Sequence, residues 1–389
     1  MLYKSLICKF LLMSLLFISC SNAEVNNLHI DLDNPDEVSI LDFADSVKVI
    51  QLETTAESAI SLYTDQIYHD SLIYIADVRQ KKVVCFDTSG KFIRQIGAYG
   101  RGAEEHLYFE DVCLDEYNKE LIVQEPWGRM VCYNLDGSFK RKIVLPDEIR
   151  AYNDLEVINR DTICFLSAGG DYKLVFYSRE KDSLIAKLYP GAAPYLMSFY
   201  SNRYRYADSL YFYHPFSNDV ENITKLKENN ISYSWDFGKY NHKQSDLIEL
   251  QKYLMENKNE LSRSRYKMID LINSDRGVRY YVHRIRESDR YRFAQLLYKN
   301  DQHTIVIDKY TGDVKLFLET QEGVKVSGYE LKGNMLIMQS GRGLSYIESP
   351  NDKYNVVSLS YLAGKNKEIV EQHNPEEDNP YLVIYYLKK

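Results

Sequence analysis

Residues 70–97, DSLIYIADVRQKKVVCFDTSGKFIRQIG, read as strand, short connection, strand, turn and strand, and the unit returns along the chain. Residues 119–146 repeat it with Asp136-Gly137 at the turn where the first copy has Thr88-Ser89-Gly90. Further copies occupy 160–190 and 207–238. Aligned on the end of their first apolar strand, the four place Asp77, Glu125, Ser167 and Pro215 in register, at intervals of 48, 42 and 48 residues. Two more copies, 292–317 and 334–349, end that strand near Tyr298 and Ser340, again 42 apart. A period in the forties with three to four strands per unit is that of a propeller blade. Segments such as LIYIA and VVCF are apolar throughout instead of alternating, as expected of sheets covered on both faces. Six copies predict an all-β, six-bladed β-propeller.

A ring has to close. The segment SVKVIQLETT (46–55) precedes the first copy and NPYLVIYYLKK (379–389) follows the last. Pairing them in one blade ties the chain ends together and removes an exposed edge. The propeller is therefore assigned to 46–389. Between the fourth and fifth copies, residues 241–275 carry Leu247, Leu250, Leu254 and Leu261 near one helical face, with Asp246 as a candidate N-cap. A helical insertion is expected there, packed on the rim in preference to covering the channel.

The first residues, MLYKSLICKFLLMSLLFISC, place Lys4 and Lys9 before an apolar run that is too short to span a bilayer but suits an export signal. The run ends in Phe17-Ile18-Ser19-Cys20, which resembles a bacterial lipobox. Residues 1–19 are thus expected to be a signal peptide, Cys20 the lipidated residue, and 20–45 a polar tether. Acylation would supply the buried methylenes that stable anchoring needs. Cys85, Cys113, Cys132 and Cys164 are expected to be free, since Cys85 and Cys132 hold equivalent places in neighbouring units.

The formal charge is −8, and about −10 once Lys4 and Lys9 are removed with the leader. There is no basic tract, which sets nucleic acid aside. Gly97, Gly100 and Gly102 have the density of a phosphate-cradling loop, yet two glutamates follow, then a strand; no Lys and no helix follow. They are read as backbone turns.

The stretch IYIADVRQKKVVCFDTSGKFIRQIGAYGRGAEE resembles the signature blade of the six-bladed β-propeller lipoproteins of Bacteroides-type bacteria, which are NHL-like and TolB-like in shape. VIQLETTAESAI and EEDNPYLVIYYLKK are similar to that family's two ends. The family's Gly-Pro-Gly-Glu is here Gly102-Ala103-Glu104-Glu105. The resemblance implies a propeller fold and a Gram-negative envelope address: an outer-membrane lipoprotein facing periplasm or surface. It implies no reaction.

Propeller ligands sit at the channel mouth, and the loops after the aligned strands nominate Asp77, Glu125, Trp127, Ser167 and His214. Tyr74, Trp127 and Tyr213 are expected there as rings for stacking. Ser167, Pro215 and Ser340 interrupt any ring of carboxylates that would hold Ca²⁺, the eight histidines are scattered, and no nucleophile elbow occurs. No metal, cofactor or catalytic residue is assigned. The expected function is that of a monomeric binding or scaffold module for a glycan, peptide or partner protein. The alternative is a propeller hydrolase or lyase acting on a glycan or lactone-like substrate.

Overall fold

Strands that bury both faces have to be stacked, and here they are stacked radially. The computed structural model describes residues 26–61, 64–107, 111–125, 128–150, 152, 154–166, 171–190, 202–214, 217–256, 279–299, 301–340 and 356–389. Its strands form six sheets. Two strands near the N-terminus, β1 (Asn26–His29) and β2 (Ala44–Gln51), join blades that the chain completes much later. Blade I is β3 (Thr64–His69), β4 (Leu72–Asp77), β5 (Lys82–Asp87) and β6 (Phe92–Ile96). Blade II is β7 (Asp111–Asp115), β8 (Glu120–Glu125), β9 (Arg129–Asn134) and β10 (Phe139–Val144). Blade III is β11 (Asp154–Val157), β12 (Thr162–Leu166), β13 (Tyr172–Ser178) and β14 (Ser183–Pro190). Blade IV holds β15 (Arg203–Tyr206), β16 (Ser209–Tyr213), β17 (Asp219–Asn222) and β18 (Ile231–Asp236). Blade V is β19 (Tyr280–Glu287), β20 (Tyr291–Tyr298), β21 (Asp301–Asp308) and β22 (Val314–Phe317). Blade VI is β23 (Glu330–Lys332), β24 (Met335–Gln339) and β25 (Tyr381–Leu387), with β2 as its outermost strand.

Six apolar clusters fill the six spaces between blades, and each draws on two neighbours. Ile73 and Ile75 pack with Ile337 and Ile384 of blade VI. The intervening Tyr74 and Ala76 pack with Leu121 and Val123 of blade II. Successive residues of one strand thus serve opposite interfaces, which is why LIYIA shows no polar face. The same logic separates the thiols: Cys85 lies in the I–II cluster and Cys132 in the II–III cluster. All four described cysteines are free. Burial pushes Cys85 up to about 11, and Cys132 and Cys164 to about 12, leaving them protonated and inert.

The ring closes as the terminal strands predicted. β2 pairs antiparallel with β25, Val49 opposite Val383 and Gln51 opposite Tyr381. Asn379, almost fully buried, bonds the main chain of Glu53, Ser58 and Ile60 beside this seam. A short helix, Gly364–Gln372, lies between β24 and β25, and its Asn366 bonds the main chain of Val47 and Val49. It covers the edge that β2 would otherwise expose.

One expectation needs correcting. Residues 26–45 are not a tether from Asn26 onward. β1 pairs parallel with β18 as a fifth strand of blade IV, burying Leu28, Ile30 and Leu32 in the IV–V cluster. Asp36 then accepts hydrogen bonds from Leu316 N and Lys315 Nζ of blade V. The carboxylate of Glu322 takes Ser39 Oγ and Ile40 N before β2 enters blade VI. The segment is a belt across the outer edges of three blades. Of the expected insertion 241–275, helix α1 spans Gln244–Glu256 between β18 and β19, and 257–275 lies outside the described residues.

Candidate functional site

The described residues among those nominated for the mouth, Asp77, Glu125 and His214, each serve local packing or turns. Asp77, fully buried, accepts from Ser61 N, Ser61 Oγ and Gln80 N at 2.5, 2.7 and 2.8 Å. It organises a turn. Glu125 accepts from Leu107 N at 2.6 Å and pairs with Arg129 at 2.8 Å. His214 packs edge-on against Tyr189 and Phe212, with centroids 4.6 and 4.8 Å away. Burial, then nearby Lys173, pushes its imidazole down to about 4, so it is neutral at ordinary pH. Tyr74 and Tyr213 belong to the I–II and IV–V clusters, so they pack blades and do not rim the mouth. Trp127, Ser167 and Pro215 lie outside the described residues. No group of three or more His, Cys, Asp or Glu side chains with metal-holding geometry occurs among the described residues.

The glycine loop explains itself through Glu105. Its carboxylate accepts from Gly102 N at 2.7 Å, and a Cβ on Gly100 would fall 1.9 Å from the same carboxylate oxygen. The chain's own anion fills the place that a phosphate loop keeps for a ligand. Gly97, at φ +63°, faces Tyr133, whose ring would lie 2.4 Å from an added Cβ.

A cavity of about 650 Å³ lies on the axis. It is lined by Gln66 and Tyr68 of blade I, Glu116 and Tyr117 of blade II, Glu156 of blade III, Arg205 and Asp208 of blade IV, and Glu330 and Lys332 of blade VI. Most of these sit on or just after the innermost strands, at the turns into the second strands. The sequence reading nominated the opposite ends, where the second strands finish.

Inner strands place alternate residues toward the axis and toward a neighbour, so polar residues two apart make short ladders. Asp154 and Glu156 of β11 face Arg203 and Arg205 of β15, with Arg203 2.6 Å from Asp154 and 3.8 Å from Glu156. Arg203 is only 3% exposed, and its neighbouring carboxylates hold its charge against burial. Glu156 is the weaker partner: burial pushes its carboxyl above the ordinary range despite Arg203 and Arg205. On the other side, Arg286 of β19 forks onto Glu330 of β23 at 2.8 and 3.0 Å, with Arg284 at 4.0 Å. Arg286 and its neighbours hold the Glu330 carboxyl below the usual range, overcoming burial.

Two contacts cross the channel itself. Lys332 of blade VI reaches Glu116 of blade II at 2.8 Å, and His69 of blade I approaches the same carboxylate at 3.5 Å. Arg205 of blade IV donates to Tyr117 Oη of blade II at 2.9 Å and to Val157 O at 2.6 Å. Sequence reasoning missed this site. Its only trace was arginines two apart at the start of a unit, Arg203 with Arg205 and Arg284 with Arg286.

Known proteins share this architecture. A Bacteroides fragilis protein described as exported superposes with a TM-score of 0.70 at 17% identity, covering 94% of this chain and all of its own. A Bacteroides vulgatus member of the DUF4221 family superposes at 0.52 and 14% identity, covering 91% of this chain and 99% of its own. At such identities the likeness speaks for the fold alone. A search of curated proteins found no match. The family model DUF4934, a domain of unknown function, matches residues 23–386, from just before the belt to the closing strand, and the chain belongs to that family.

Proposed function

We propose that this chain is an exported, lipid-anchored propeller of the bacterial envelope that binds a polar ligand, a glycan, peptide or partner-protein segment, in its axial cavity. The observation that carries the reading is convergence. Five blades contribute to one cavity of about 650 Å³, well inside the range of small-molecule sites. Three of its charged groups are held by partners of their own, an arrangement suited to recognition: Glu330 by Arg286, Glu116 by Lys332, Arg205 by Tyr117 and Val157. The Bacteroides fragilis neighbour described as exported supports an envelope or secreted address.

Lipidation at Cys20 carries a geometric consequence. Asn26, the first residue of β1, is six residues beyond Cys20, and such a stretch spans at most about 20 Å. The anchor would therefore hold the outer edge of blade IV next to the bilayer, with no long stalk between them. Envelope fractionation of wild type and Cys20→Ser tests this part: the variant should leave the membrane pellet, and one that stays would remove the anchor at Cys20. A thermal-shift screen of the full chain against polar ligands tests binding. A ligand that raises Tm should do so less in Arg205→Ala, and a response indifferent to cavity substitutions would remove the axis as the site.

A further inference from the structure

We propose that the axial cavity takes a neutral, polyhydroxylated ligand, a short oligosaccharide, whose hydroxyls are met by Tyr68, Gln66 and Glu156. This rests on the binding reading above and gives it a ligand class. The reasoning separates the polar groups of the cavity into those already engaged and those left over.

Three of the formal charges are engaged, while Asp208 stands exposed to water at the rim. Glu116 is held by Lys332, Glu330 by the fork of Arg286, and Arg205 by a carbonyl and a phenol. A ligand with its own net charge would have to displace one of these partners and leave the other uncompensated in a partly buried site.

Two of the left-over groups are neutral. Tyr68 is 8% exposed, and its hydroxyl has no hydrogen-bond partner among the described residues. Gln66 Oε1 is likewise buried without a partner. The two are i and i+2 on β3, hence on one side of the strand, and both line the cavity. Leaving such groups dry and unpaired is costly, and a ligand or water in the cavity is what would satisfy them. Glu156 meets Arg203 Nε only at 3.8 Å, an ion pair without a hydrogen bond, so its carboxyl can still engage a ligand hydroxyl. An acceptor, a phenol and a carboxylate, spaced round one cavity, match alcohol groups arrayed on a ring.

The rim adds an aromatic surface. Tyr117 is 37% exposed at the cavity, with the Arg205 guanidinium 5.8 Å from its ring centroid. Its remaining surface can take the apolar C–H face of a sugar. A peptide would bring amides and terminal charges; of the two, the neutral sugar asks less of the existing pairs.

The experiment is isothermal titration and thermal shift of the full-length protein with maltotriose, cellotriose, xylotriose and mannotriose. Trigalacturonate serves as a charged saccharide and triglycine as a peptide. At least one neutral trisaccharide should bind, and trigalacturonate should not. Tyr68→Phe should weaken that binding roughly tenfold, while the unliganded Tm stays level or rises, because an unpaired hydroxyl has been removed. Gln66→Leu gives a second route if Tyr68→Phe disturbs the fold. Glu156→Gln should keep most of the affinity, since its amide oxygen can still accept from a ligand hydroxyl, and Glu156→Leu should lose it. The saccharide assignment is overturned if no neutral trisaccharide binds, if Tyr68→Phe and Gln66→Leu bind as wild type does, or if trigalacturonate competes equally. Binding of triglycine that is sensitive to Tyr68→Phe would overturn the saccharide yet leave the binding role standing. Silence of the whole panel with a response to some other cavity ligand would do the same.

Discussion

The spaces between blades and the space on the axis are filled by opposite materials. Between blades lie clusters such as Ile73, Ile75, Val84 and Phe86 with Ile337 and Leu382, all but closed to solvent. On the axis lie Arg203, Glu156, Arg286 and Glu330, paired across neighbouring inner strands. Apolar burial is non-directional and tolerates exchange of similar shapes, whereas ion pairs in a partly buried channel hold only in one geometry. The interfaces therefore account for stability, and the axis offers specificity.

The sharpest test of that contrast is a large deletion in an interface. Phe176, fully buried between blades III and IV, should cost about 3–5 kcal/mol when changed to Ala, read as a lower denaturant midpoint. The axial counterpart is Arg203→Met. Removing it strands Asp154 and Glu156 without their shared cation, at a cost of about 3 kcal/mol. If Arg203→Met stabilised the protein, the axis would be ordinary core with charges in it. Adding Asp154→Leu and Glu156→Leu to that variant should restore much of the loss, since it removes the stranded carboxylates as well.

The two regions also differed in how plainly the sequence announced them. The blades were legible because each apolar strand is a contiguous run, and β4, β8 and β12 end at or within one residue of Asp77, Glu125 and Ser167. Closure followed from two orphan strands. The belt was hidden by its polarity, although Leu28, Ile30 and Leu32 do alternate with polar residues as an edge strand should. The axial site was hidden for a different reason. Five of the six blades give it residues on or just after their inner strands, so Gln66, Glu116, Glu156, Arg205 and Lys332 are spread over most of the chain with no local spacing to find. Ligand loops were sought where strands end in acids, and Asp77 and Glu125 turned out to serve their own turns and ion pairs.

A pH titration sharpens the comparison from the side of the buried rings. His214 sits among Tyr189 and Phe212 with its pKa pushed down to about 4, mainly by burial. The unfolded chain binds its proton near pH 6.5 and the folded chain does not until about pH 4. Its contribution is whole above pH 6.5, falls as pH drops through that window, and changes no further below about 4. Allowing for its partial contact with solvent, the loss is on the order of 2 kcal/mol. His214→Gln should flatten this part of the profile in denaturant titrations at successive pH values. His283 on β19, pushed down to about 3 by burial and Arg284, should show the same sign over a wider range.

The smallest effect belongs to the most conspicuous contact. Lys332 and Glu116 join blades VI and II across the channel, yet each is about half exposed. An ion pair in that much water is screened and costs side-chain freedom, so Lys332→Ala should change stability by less than about 1 kcal/mol, and by less still at high salt. A loss of several kcal/mol would mean that the cross-channel contact supports the ring, and the division between stabilising interfaces and a recognising axis would fail. A near-neutral result would leave the stability of the ring with the apolar interfaces, the cross-channel pair adding little to the fold.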